Sequence, residues 1–147
     1  MNACIKGFFI AVMLLCTGAA SAQEYTFDAF VEAYNAAFQP NASVDTINKY
    51  LDFYAEDVED VHPPYNVTMN GREKLFDGIH SYTKRMKRYH AFATKLYWSD
   101  YVAAVILYED SEYLKSGSLK QYRGKTVLFM EFNEQGRIKH IRRHVGG

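Results

Sequence analysis

The chain has 147 residues and carries 17 Lys and Arg against 17 Asp and Glu, for a formal net charge of zero. With no basic excess to hold a phosphate backbone, nucleic acid is excluded as an expected partner. Both cysteines, Cys4 and Cys16, precede residue 23, so a chain processed there has no thiol, no disulfide and no Cys-ligated metal site.

Residues 1–22 read as a secretory signal peptide. Lys6 supplies a positive start, Gly7 to Cys16 is almost purely apolar, and Ala20-Ser21-Ala22 is a small-residue cleavage site. The apolar run is too short to span a bilayer comfortably. A lipid anchor at Cys16 is the rival reading, and the bulky Leu15 before it argues against that. Residues 23–147 then form a single exported domain, secreted or periplasmic, with one more acid than base once Lys6 is gone. The sequence holds 12 Tyr and 10 Phe, which suits a core with a pocket whose phenol tips need partners.

The first predicted element is a helix from Phe27 to Phe38, with Phe27, Phe30, Val31, Tyr34, Ala37 and Phe38 at helical spacing. Gln39-Pro40-Asn41 ends it. A second helix, Ser43 to Tyr54, repeats the pattern through Val44, Ile47, Tyr50, Leu51 and Tyr54, with Ser43 as its N-cap. Val58 to His62 reads as a short strand before Pro63-Pro64. A third helix runs from Arg72 to Lys87, with Leu75, Ile79, Tyr82 and Met86 on one face. Four strands follow: His90 to Trp98, Tyr101 to Tyr113, Gln121 to Asn133 and Arg137 to Val145, separated by turns. Helices first and a meander after predict an α+β domain. The helices cover one face of a curved antiparallel sheet, with a ligand cavity between the layers.

In order along the chain stand Ala33-Tyr34-Asn35-Ala36-Ala37-Phe38, Tyr54-Ala55-Glu56-Asp57, His62-Pro63, Gly71-Arg72-Glu73 and Phe132 to Ile138. Together these segments resemble the nuclear transport factor 2-like superfamily, in its SnoaL-like and steroid-isomerase-like branches. The resemblance spans nearly all of residues 23–147 and implies a cone-shaped fold, which hosts enzymes, binders and dimerisation modules alike. Steroid isomerases keep a general-base Asp immediately before the proline that matches Pro63, and here His62 stands in that place. Their oxyanion-donating Tyr matches Tyr34. Their protonated acid matches Leu128, so the second oxyanion donor is missing.

Strand alternation, oriented by the resemblance, sets the expected pocket face. Tyr101, Ala103, Val105, Leu107 and Glu109 point inward, as do Leu128, Met130, Phe132, Ile141, Arg143 and Val145. The expected site is therefore mostly apolar, with Tyr34, His62, Glu109 and Arg143 as polar members and Tyr101, Leu128, Met130 and Ile141 as ligand-contacting walls. Histidine ordinarily titrates near ~6.5, which suits His62 to take or give a proton near neutrality. The alternative is a strand-end histidine bonded to backbone or water. Tyr34 either donates to a developing oxyanion or simply lines the core. Arg143 either holds a ligand anion or pairs with Glu109, and a closed pair predicts a neutral ligand.

Other groups have plainer readings. Lys84, Arg85, Lys87 and Arg88 are expected at a helix C-terminus. Glu56, Asp57, Glu59 and Asp60 are read as a solvated acidic run. His140 and His144 share an outer face but lie about 13 Å apart along a strand, too far to share a metal. No metal or cofactor signature is present. The outer sheet face is partly apolar, which predicts a homodimer. Two functions remain. One is an exported pocket protein for a small, largely apolar molecule, with isomerase, dehydratase or cyclase chemistry through His62 and Tyr34. The other is a non-catalytic dimeric binding or association module.

Overall fold

The computed structural model describes residues 18–146, with side chains from residue 27 onward. The expected signal segment falls mostly at 1–17, outside the described residues. No helix among the described residues is long and apolar enough to cross a membrane.

Helix α1 (Gly18–Ala37) extends further toward the N-terminus than its apolar spacing indicated. Helix α2 (Val44–Leu51) starts where the Ser43 hydroxyl accepts the Thr46 N–H at 3.1 Å. Asp45 and Lys49 sit at the ends its dipole favours. It stops earlier than predicted because Tyr54 is already the first residue of strand β1 (Tyr54–His62), paired with Ile138. After a 3-10 turn at Pro63–Tyr65, Asn66 takes the left-handed conformation and leads into β2 (Val67–Asn70), a strand absent from the predicted elements. Helix α3 (Arg72–Thr83) also ends a turn early. Arg85 bonds back to Tyr82, and the chain enters β3 (Met86–Trp98) directly. The basic cluster therefore straddles a helix end and a strand. Arg88 pairs with Asp110 and Glu112 on the neighbouring strand rather than with the helix dipole.

Strands β4 (Val102–Lys115) and β5 (Ser118–Phe132) form a long hairpin. Its two-residue turn, Ser116-Gly117, has φ of +52° and +78°, the double positive φ of a type I′ turn. Strand β6 (Ile138–Gly146) closes the sheet. The order is β2-β1-β6-β5-β4-β3. All neighbours are antiparallel except β1 and β6, so the sheet is mixed rather than antiparallel throughout. The cause is topological. The chain leaves β1 through β2 and α3, crosses to the far edge, and returns by a meander that ends alongside β1.

Helices α1 and α2 pack together, with α1 against β3 and α3 against β1. The alternation expected for the long strands is observed. Ala103, Val105, Leu107 and Glu109 are buried, as are Leu128, Met130, Ile141 and Arg143. Their neighbours Phe129, Arg142 and His144 are exposed on the other face. This is the α+β cone that the sequence motifs implied, with helices covering the inner face of the sheet.

Candidate functional site

A cavity of about 470 Å³ lies between the helices and the inner sheet face. Tyr34, His62, Glu109 and Arg143, the four polar residues expected there, all line it. The other four expected wall residues do not. Leu128 and Ile141 are fully buried and Met130 nearly so, packed in the core beyond the cavity. Tyr101 is 63% exposed, because β4 begins one residue later and leaves it in the turn.

Two buried carboxylates organise the cavity. Asp60 is 1% exposed and receives the Arg143 Nε on both oxygens, at 3.0 and 2.9 Å. Arg143 Nη2 also donates to the Tyr50 and Tyr54 hydroxyls, at 3.2 and 3.3 Å. Those two phenols are hydrogen-bonded to one another. Burial works to raise the Asp60 pKa, but the Arg143 guanidinium, with His62 beside it, outweighs burial and holds the carboxyl below its ordinary value. Burial equally works to discharge Arg143, and the Asp60 charge with the surrounding phenols keeps it firmly protonated.

His62 ends β1 at the foot of the Pro63–Tyr65 turn. It shares the inner face with Asp60 because the two are separated by one residue on a strand. Its Nε2 is 3.1 Å from Asp60 Oδ1. The ring is not aligned on that oxygen, however, and the buried Nε2 has no well-directed hydrogen bond. The two groups are therefore close but not hydrogen-bonded.

Glu109 sits in different company. Tyr34 and Tyr89 donate to its Oε1 at 2.7 and 2.9 Å, and Thr126 donates to Oε2 at 2.9 Å. The expected Glu109–Arg143 pair does not form. Both groups face inward, but Arg143 meets Asp60 from the adjacent β1 instead. The phenols are held neutral. Burial first, and then the Glu109 charge, push Tyr34 and Tyr89 well above their ordinary pKa. Burial, with smaller contributions from Tyr113 and Glu109, takes Tyr82 to about 12.

Asp60, Tyr50, Tyr54, Tyr89 and Thr126 were not foreseen as site residues. For Asp60 the signal was present: Val58, Asp60 and His62 alternate on one face of the predicted strand. Counting Asp60 within an acidic run hid it. On the opposite face Glu59, Val61, Phe129, His140 and Arg142 line a second hollow of about 620 Å³. There His140 Nδ1 meets Glu59 Oε2 at 3.2 Å, and the His144 ring stands edge-on to Phe129.

Comparison with solved structures fixes the architecture. An NTF2-like protein from Anabaena variabilis superposes with a TM-score of 0.69 at 12% identity, over 90% of this chain and 96% of that one. A SnoaL-like protein of unknown function from Burkholderia thailandensis gives 0.64 at 15% identity, over 88% and 98%. The chain has the nuclear transport factor 2-like fold. A protein with a ketosteroid isomerase-like fold from Catenulispora acidiphila, solved with trimethylamine, gives 0.63 at 16% identity, over 78% and 83%. At these identities the likeness establishes the fold alone. No family model and no protein of curated function matches the sequence.

Proposed function

We propose that this protein binds a small organic molecule in the inner cavity and that His62 exchanges a proton with it. The observation that carries this reading is the arrangement of His62, Asp60 and Arg143 on one wall of a preformed cavity of about 470 Å³. A carboxylate whose charge is matched by a guanidinium stands 3.1 Å from an imidazole whose Nε2 is not committed to a directed hydrogen bond. The ring nitrogen thus stays available to a ligand beside a compensated charge. His62 is half-buried, so the imidazole is sheltered yet reachable. The fitting reaction classes are isomerisation, dehydration and cyclisation, in which a proton leaves or joins an activated carbon or oxygen. Tyr34 contributes through Glu109, to which its hydroxyl is committed. The trimethylamine bound by the Catenulispora protein supports small-molecule occupancy of this fold. Export through a signal peptide at residues 1–22 belongs to the same proposal and rests on the charged, apolar and small-residue pattern of that segment.

Native mass spectrometry of the purified protein tests the binding part through a retained small molecule. Once a substrate is found, His62→Ala and Tyr34→Phe test the chemistry. Turnover unchanged in both variants sinks the catalytic assignment.

A second reading, association through the outer sheet face, is favoured by the apolar side chains exposed there. Phe129 is 49% exposed, Val102 48% and Tyr97 59%. Sedimentation analysis separates the two: a monomer at micromolar concentration removes the association module and leaves the cavity reading intact.

A further inference from the structure

We propose that the cavity takes an organic cation, with an alkylated or quaternary ammonium group seated against Glu109. The inference rests on the cavity being a ligand site and names the class of ligand it selects.

The two carboxylates on the cavity wall differ in counter-charge. Asp60 is matched by Arg143 at 2.9 Å. Glu109 is 8% exposed, and among the described residues no Lys, Arg or His nitrogen lies within ion-pair distance of it. Its partners are three hydroxyls, those of Tyr34, Tyr89 and Thr126. An ionised carboxylate is an acceptor only, and three donated hydroxyl protons are what it requires when no cation is present. Hydroxyl dipoles soften the cost of a buried charge but do not cancel it. The other cations on the cavity wall, Arg85 and Lys115, are exposed, where water and salt screen them. Arg85 is also turned over the Tyr82 ring, 5.8 Å from its centroid.

The walls beside Glu109 are aromatic. Tyr34, Phe38, Tyr89, Tyr82 and Tyr113 form a continuous run, with adjacent ring centroids 4.8 to 6.1 Å apart. A small metal cation needs several oxygen ligands, and most of this carboxylate's acceptor capacity is already used. An alkylammonium needs none. It is weakly hydrated, fits an apolar cavity, and is attracted both by ring faces and by one uncompensated carboxylate. The cavity chemistry thus favours a positive, carbon-covered group over either a neutral ligand or a bare ion.

The test compares choline with its neutral carbon isostere, 3,3-dimethylbutan-1-ol, by calorimetric titration of the whole purified protein. Choline is expected to bind about tenfold tighter or better. Glu109→Gln, which keeps the acceptor oxygen and the side-chain shape, is expected to erase that preference. If Glu109→Gln fails to fold, the wild-type comparison alone still decides. Equal affinity or a preference for the alcohol overturns the cation assignment while leaving a ligand cavity in place. No binding of choline at millimolar concentration also overturns it. Failure of the cavity reading would show separately, as absence of any retained or added small molecule.

Discussion

Two ion pairs of the same chemistry lie on opposite faces of one sheet. Arg143–Asp60 is inside, with side chains 7% and 2% exposed, and Arg88–Asp110 is outside, at 44% and 20%. Outside, Asp110 is shared with Arg123 as well as Arg88, and water serves every partner. Inside, each group depends on the others. Asp60 holds Arg143, Arg143 holds two phenols, and His62 sits against the same carboxylate. The contrast shows how a cavity keeps charged groups available for chemistry: each buried charge is fixed by named partners, and among the described residues only Glu109 relies on hydroxyls in place of a cation.

The largest expected effect comes from breaking the inner pair. Arg143→Met strands Asp60 and should cost about 3–5 kcal/mol in denaturant unfolding. Adding Asp60→Leu to it should recover most of that loss. A double variant no better than the single one would show that the pair is not the interaction lost.

Acid sharpens the comparison next. The Asp60 pKa is lowered in the folded state, while an unfolded aspartate titrates near ~3.9. A depressed folded value stabilises above the unfolded value, and that stability is lost as pH falls through the folded one. Stability measured from pH 6 toward about pH 2 should therefore fall through this window. Asp60→Asn should start lower near neutrality and show a flatter acid limb. A limb unchanged in the variant would assign the acid loss to other carboxylates.

A smaller effect is expected from Tyr89→Phe. It removes one of three donors to Glu109 and should cost about 1.5–3 kcal/mol by the same unfolding measurement. Arg88→Met on the outer face should leave the unfolding midpoint almost unmoved, because exposed pairs contribute little. A loss equal to that of Arg143→Met would remove the distinction between the faces.

Much of this contrast was legible in the sequence. Strand alternation grouped Ala103, Val105, Leu107 and Glu109 on one face and Leu128, Met130, Ile141 and Arg143 on another, and the family resemblance turned both sets inward, where they are buried. Alternation assigns a face but not a depth along the cone, so Leu128, Met130 and Ile141 proved to be core rather than cavity wall. Tyr101 failed for a different reason, since strand ends are set by pairing partners. Glu109 and Arg143 were both placed inward, yet their pairing depended on which strand would neighbour β6. The parallel β1–β6 contact brings Asp60 to Arg143 across 83 residues of sequence, and no local pattern encodes it. Asp60 itself was readable from the alternation of Val58, Asp60 and His62, had that pattern been weighed above the run of acids.

The most direct measurement is a small-molecule fragment titration followed residue by residue in ¹H–¹⁵N and aromatic spectra of the whole protein. The cavity account predicts that shifts concentrate on His62, Gly78, Ser111 and Thr126, all on the cavity wall. Shifts confined to Glu59, Phe129 and His140 on the outer face would contradict it.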